Sequence, residues 1–243
     1  MSTAKPLQGR LALVTGASRG IGYQTALQLA GLGAHVIATA RTSGGLEELD
    51  DAIRAAGGEA ATLVPLDITD FDALDRLGAT IFERWAKLDI LVANAGRLGP
   101  LSPLGHVVPK EFDRVIAINV TANYRLIRSL DPLLKRSQAG RAVFVTSGAA
   151  RNIKPFWGPY AVAKAALDAM ALTYAAECEN TALNVNLFSP GPTRTAMRAQ
   201  AMPGEDPMSL PSAQEIAKHL VALCLPTETR NGGTYAAQSG GWI

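Results

Sequence analysis

The stretch Thr15-Gly16-Ala17-Ser18-Arg19-Gly20-Ile21-Gly22 decides the fold. It follows a short aliphatic run, Leu11 to Thr15, and opens a helical stretch, Ile21 to Leu32. Strand, glycine-rich turn and helix in succession are the setting in which a backbone holds a dinucleotide pyrophosphate. Gly16 permits the tight turn, Gly20 lets the backbone approach the ligand, and Gly22 lets the helix pack closely on the strand. Free N–H groups at a helix start favour an anion. Ser18, Arg19 and Ile21 complete the candidate contacts. The spacing between the first two glycines departs from G-x-G-x-x-G, so the flanking elements carry more weight than the glycines alone.

Outward from this turn the pattern repeats. Val36 to Ala40, Ala61 to Leu66, Ile90 to Ala93, Ala142 to Thr146 and Asn184 to Phe188 are short apolar runs without polar alternation. Such runs read as strands buried on both faces. Between them lie helical stretches at Gly45 to Ala56, Asp70 to Trp85, Glu111 to Leu134, Tyr160 to Cys178 and Ala213 to Leu225. Alternating strand and helix predicts an α/β fold, a Rossmann-type doubly wound sheet with helices on both faces. Seven strands are expected, the last at Gly233 to Ala237, within a single dinucleotide-binding domain over residues 1–243. The irregular stretch Pro190 to Pro211 is expected to form a lid over a substrate.

Composition narrows the function. Lys and Arg number 23 against 21 Asp and Glu, a balance that does not suggest nucleic-acid or membrane-surface binding. Cys178 and Cys224 have no metal-ligand neighbours and read as buried free thiols, and the three histidines are scattered. No metal site is expected. Met1 to Arg10 lacks a long apolar region, and no run approaches the ~20 residues that span a bilayer. The expected location is cytoplasmic.

The second strand ends Ala38-Thr39-Ala40-Arg41. A carboxylate at that end binds the ribose 2′-hydroxyl of NAD. Here Ala40 takes the acidic position and Arg41 follows, able to fork onto a 2′-phosphate, with Arg19 as a second charge. This predicts NADP(H) as the preferred cofactor, with NAD(H) as the alternative if Arg41 is only a solvated loop residue.

Tyr160 and Lys164 lie four apart at a helix start and share a face. A neighbouring ammonium favours the phenolate and would lower the tyrosine pKa, so the pair suits acid–base work. Ser147 ends one buried strand and Asn94-Ala95-Gly96 ends another, on the edge where parallel sheets bind ligands. Asn119 sits in an otherwise apolar helical stretch, where a buried amide needs partners.

Taken together, Thr15 to Gly22, Asn94 to Gly96, Asn119, Ser147, Tyr160, Lys164 and Pro190-Gly191 resemble the short-chain dehydrogenase/reductase family in order and spacing over nearly the whole chain. The resemblance implies hydride transfer between nicotinamide and a carbonyl or alcohol carbon. Tyr160 would be general acid and base, and Ser147 would hold the reacting oxygen. Lys164 would bind the nicotinamide ribose, and Asn119 would support a relay water. Asp67 and Ile68 would meet adenine, and Asn94, Ala95 and Gly96 would line the cofactor. Pro190, Gly191, Thr193 and Thr195 would hold the carboxamide segment. A homotetramer or dimer is implied, through the helices carrying Asn119 and Tyr160, where Ala161, Ala165, Ala166 and Ala169 fit close packing but also fit an ordinary core. Phe156 and Trp157 are candidates for an aromatic pocket wall or for the core, Met197 and Met202 for apolar lid contacts, and Arg194 and Arg198 for an acidic group or for solvent. A cofactor-binding regulator, an epimerase or dehydratase, and a 3-oxoacyl-thioester reductase are the rival readings.

Overall fold

Strands with no polar face need cover on both sides, and the chain supplies it. A computed structural model describes residues 5–243, so the reading of Met1 to Arg10 falls partly outside the described residues. The first half runs β1 (Leu11–Thr15), α1 (Gly20–Gly31), β2 (His35–Ala40), α2 (Gly44–Ala55), β3 (Thr62–Pro65), α3 (Phe71–Trp85) and β4 (Ile90–Ala93). The second runs α4 (Pro109–Ile116), a π-helical turn (Ala117–Thr121), α5 (Ala122–Leu134), β5 (Gly140–Val145), α6 (Gly158–Glu177), β6 (Leu183–Ser189), α7 (Ala196–Ala201), α8 (Ala213–Leu223), β7 (Thr234–Ala236) and β8 (Gly241–Trp242).

One sheet holds all the strands in the order β3-β2-β1-β4-β5-β6-β7-β8. Every pairing is parallel except β7 with β8, where Tyr235 faces Trp242. The sheet therefore has eight strands, not the expected seven. The chain turns back after β3 and resumes beside β1 with β4. That reversal opens a crevice at the carboxyl ends of β1 and β4, where α/β sheets take ligands.

Alternate residues of each strand feed two cores. Ala12, Val14, Val36, Ala38, Val143 and Val145 pack under α1, α2 and α8. Leu11, Leu13, Ile37, Leu91, Ala142 and Phe144 pack under α3, α5 and α6.

Two helical expectations change. The run expected from Glu111 to Leu134 starts at Pro109 and is interrupted by the π-helical turn around Asn119. The stretch Pro190 to Pro211 is less irregular than expected: it holds α7 and a single 3₁₀ turn at Pro207–Ser209. Thr195 caps α7 by accepting from the Arg198 N–H. No helix among the described residues is long and apolar enough to cross a membrane.

Candidate active site

The carboxyl ends of β1, β2, β4, β5 and β6 surround one cavity of about 1130 Å³. Every predicted site residue lines it except Gly22 and Asn119, which stand behind its walls.

The glycine turn needs its glycines. Gly16 and Gly20 have φ of +66° and +61°, the left-handed region that side chains disfavour. A Cβ on Gly22 would lie 2.3 Å from the Gly16 carbonyl oxygen and 2.4 Å from the Asn94 amide nitrogen. Asn94 lines the cavity as expected, and its side chain also braces the turn. It donates to the carbonyls of Thr15 at 2.9 Å and Gly16 at 3.3 Å, stapling the turn to the end of β4. The Thr15 hydroxyl accepts in return from the N–H groups of Asn94 and Ala95. No side chain caps α1, so its first N–H groups keep their donors for an anion. A turn with no room for a Cβ and an uncapped helix start fit a dinucleotide pyrophosphate.

Farther along, Arg41 and Arg19 line the cavity, and neither has a carboxylate in ion-pair range among the described residues. Asp67 lies on the same wall. Its carboxyl is held below the ordinary range mainly by the Thr69 backbone N–H, with the Thr69 hydroxyl, Arg41 and Arg114 adding to the effect. Two cations and an ionised Asp67 thus share the lining of this cavity.

Helix α6 presents Tyr160 and Lys164 to the cavity. Pro159 is tolerated because it lies in the first turn, where its missing N–H has no helical partner. Tyr160 is buried, which pushes its phenol up to about 12, against a lowering hydrogen bond with Ser147. The expected lowering by Lys164 is not seen. The Lys164 ammonium donates to the Val145 carbonyl at 2.7 Å and lies 5.7 Å from the Tyr160 ring centre. Burial pulls Lys164 down to about 8, with Asp168 acting the other way. Ser147 is extended at the end of β5, and its Oγ accepts from the Ala149 N–H at 3.2 Å.

Asn119 is wholly buried. Its amide nitrogen donates to the carbonyls of Arg97 and Val115, both at 2.9 Å, and its Oδ1 accepts from the Arg97 N–H. These bonds tie the π-helical turn to the segment after Gly96. The Asn119 carbonyl accepts from the Asn123 side chain at 2.8 Å.

Beside Tyr160 lies an apolar patch of Leu98, Ala149, Trp157 and Ala201, with the Trp157 and Tyr160 rings edge to face at 6.1 Å. Of the two candidate wall aromatics, Trp157 lines the cavity and Phe156 points to solvent, 56% exposed, at φ +74°. Met197 and Met202 also line it. Arg198 is engaged by Glu205 at 2.5 and 2.6 Å, so it is not free to meet an acidic group. Sequence reading did not single out Thr146 and Asp168, which bond to each other beside Lys164. A signal existed for Asp168, which falls one turn beyond Lys164 on the same helix face.

A Rossmann-type sheet with a tyrosine, a lysine and a serine on one wall of its ligand crevice defines a nucleotide-dependent oxidoreductase class. The sequence model described as "short chain dehydrogenase" matches residues 10–206. The uncharacterized oxidoreductase YciK of Escherichia coli K12 is 35% identical over 96% of this chain and 94% of its own. The structure of a short chain dehydrogenase from Shigella flexneri 2a complexed with NADP superposes with a TM-score of 0.93 at 35% identity, covering 97% of this chain and 100% of that one. An uncharacterized NAD-dependent oxidoreductase of Mycobacterium tuberculosis is 35% identical over 79% of this chain and 74% of its own. The chain belongs to the short-chain dehydrogenase/reductase family and is an oxidoreductase of that family.

Proposed function

We propose that this protein transfers a hydride between NADP(H) and a carbonyl or alcohol carbon, with Tyr160 as the proton donor and acceptor. The observation that carries this reading is the placement of Tyr160, Lys164 and Ser147 in one cavity with the glycine turn and Arg41. The cofactor, when bound, supplies or takes the hydride at its nicotinamide ring. Gly16, Ser18, Arg19, Gly20 and Ile21 would hold its pyrophosphate, Asp67 and Ile68 its adenine, and Arg41 with Arg19 its 2′-phosphate. Ala95, Gly96, Pro190, Gly191, Thr193 and Thr195 would hold the nicotinamide half.

The residues divide the proton work. A phenol pushed up to about 12 stands protonated at neutral pH, the form needed to protonate a carbonyl oxygen during reduction. Ser147 donates to the same oxygen and steadies its developing charge. Lys164, brought toward the Tyr160 oxygen, favours the phenolate left behind. Asn119 holds the wall behind Gly96 and supports the relay water. Trp157, Leu98 and Ala201 offer an apolar surface to the substrate, and residues 190–211 serve as its lid.

NADP preference rests on Ala40 and Arg41, and the NADP-bound Shigella structure supports it. The NAD-dependent mycobacterial relative keeps NAD(H) as the competing cofactor. The test is NADPH consumption over a panel of acyl thioesters, sugars, steroids and small ketones, with Tyr160→Phe as control. Equal rates for wild type and variant would overturn the assignment.

The proposed assembly is a homotetramer or dimer through α6 and the helical run that carries Asn119 and continues as α5; their outward side exposes Tyr124, Val162, Ala165, Ala169 and Leu172, whereas Ala161 belongs to the core. Light scattering after size exclusion tests it, and a monomer at micromolar concentration would refute it. The cytoplasm is the proposed compartment, consistent with the buried free thiols of Cys178 and Cys224.

A further inference from the structure

Asp168 is a buried carboxylate close to the catalytic wall that the proposed chemistry does not use. It lies on α6, one turn past Lys164 and two past Tyr160. One of its oxygens accepts a hydrogen bond from the Thr146 hydroxyl. The other lies 3.9 Å from the Arg151 guanidinium, which in turn donates to the Thr234 hydroxyl at 2.6 Å. Thr146 is itself buried, and it is the residue immediately before Ser147. Its backbone N–H donates to the Phe188 carbonyl on β6 at 2.8 Å.

The end of β5 is therefore gripped twice by the same helix. Lys164 holds the Val145 carbonyl, and Asp168 holds the Thr146 side chain. The residue after these two anchors is Ser147. Tyr160 rides on the gripping helix and Ser147 directly follows the gripped segment, so the relative position of the two hydroxyls depends on these bonds.

We propose that Asp168, acting through Thr146, is a positioning residue that sets Ser147 against Tyr160. The proposal rests on the reading of Tyr160 and Ser147 as the reacting-oxygen contacts. A hydroxyl–carboxylate bond in a buried place is short and strong, and it leaves little play between the elements it joins. The carboxylate also faces Lys164 from one turn away and raises its proton affinity against the effect of burial. The charged or titratable groups around this pair are Tyr160 on α6 and Arg151 on the loop that follows β5, and the other close contact of Asp168 is the neutral Thr146 on β5.

The experiment uses full-length protein with NADPH and the best carbonyl substrate of the panel. Thr146→Val keeps the shape and removes the hydroxyl. Thr146→Ser keeps the hydroxyl. Asp168→Asn keeps an acceptor and removes the charge. Thr146→Val is expected to lower kcat on the order of 10- to 100-fold, the scale of a small misplacement of reacting groups, with the KM for NADPH within about twofold. Thr146→Ser should restore most of the rate. Asp168→Asn should move the alkaline limb of the pH profile to lower pH, because Lys164 then gives up its proton more readily. Thermal melting of each variant measures how much folded protein contributes.

Wild-type kcat in Thr146→Val together with an unmoved alkaline limb in Asp168→Asn would overturn the proposal, provided Tyr160→Phe is inactive. A rate loss that follows only the loss of folded protein, with no rescue by Thr146→Ser, would also overturn it. If Tyr160→Phe were as active as wild type, the parent reading would fail, and that result is separate from the other two.

Discussion

Lys164 donates to the Val145 carbonyl at 2.7 Å, so the lysine that follows Tyr160 by one turn is anchored on the last residue of β5, two residues before Ser147. It is 3% exposed, and burial lowers its pKa to about 8 from 10.5. Between those values the unfolded chain binds the lysine proton and the folded chain does not, so this group raises stability as pH climbs through that window. Below pH 8 the folded protein carries a buried ammonium at a cost of roughly 3 kcal/mol. Lys164→Met removes that cost. The stability of wild type relative to Lys164→Met is expected to rise from pH 7.5 to pH 10 in urea unfolding, and a constant difference would show that the lysine is not so perturbed.

The staple between Asn94 and the glycine turn carries a second expectation. Asn94→Ala leaves the Thr15 and Gly16 carbonyls short of a donor, at about 1–3 kcal/mol. Weaker NADPH binding should follow, since the turn loses its brace. Denaturation midpoint and NADPH fluorescence titration measure the two effects. Wild-type values for both would mean that the amide contributes nothing. Gly22→Ala should be worse, because its Cβ would collide with the Gly16 backbone, which cannot give way, as well as with the Asn94 amide.

On the function proposed above, Arg41 selects the cofactor. A charge-assisted hydrogen bond is worth about 1.5–3 kcal/mol, so Arg41→Ala should raise the KM for NADPH roughly 10- to 100-fold. The KM for NADH should stay within about twofold, a change well under 1 kcal/mol. Ala40→Asp should go further and favour NADH, since the new carboxylate repels a 2′-phosphate and binds a 2′-hydroxyl. Parallel loss of both cofactors in Arg41→Ala would place that arginine elsewhere than at the 2′ position.

Tyr160→Phe removes one oxygen from a buried site and leaves the ring that packs on Trp157. The expected result is a kcat lower by about 10²- to 10⁴-fold, the range for losing a general acid. NADPH affinity should be nearly unchanged. Loss of NADPH binding together with kcat would point to damage of the wall rather than loss of a proton donor.

The parallel core was legible because each buried strand lacks a polar face: Leu11–Thr15 and Ile90–Ala93 agree with the structure to the residue. β8 was not legible, because Gly241-Trp242 is two residues long and forms only by pairing back on β7. α7 left a weak signal in Thr195 followed by good helix formers, which the surrounding prolines masked. The π-helical turn had none, since Asn119 reads alike in either helix. In the site, spacing alone placed Tyr160 and Lys164 on one face. Whether the ammonium faces the phenol or the Val145 carbonyl depends on tertiary packing that no i, i+4 rule contains.

Tyr160, Lys164 and Asp168 step along α6 by single turns, and each reaches a different target from one stiff rod. Adding or deleting one residue between positions 160 and 168 would rotate whatever lies beyond it by about 100°. The phenol would then no longer share a face with both the lysine and the carboxylate. Insertions should be accepted at the exposed Pro203–Gly204 tip, where no such phase is kept. The length of α6 between these residues is thus fixed by helical phase, and it offers a simple criterion for choosing sites at which to splice or permute the chain.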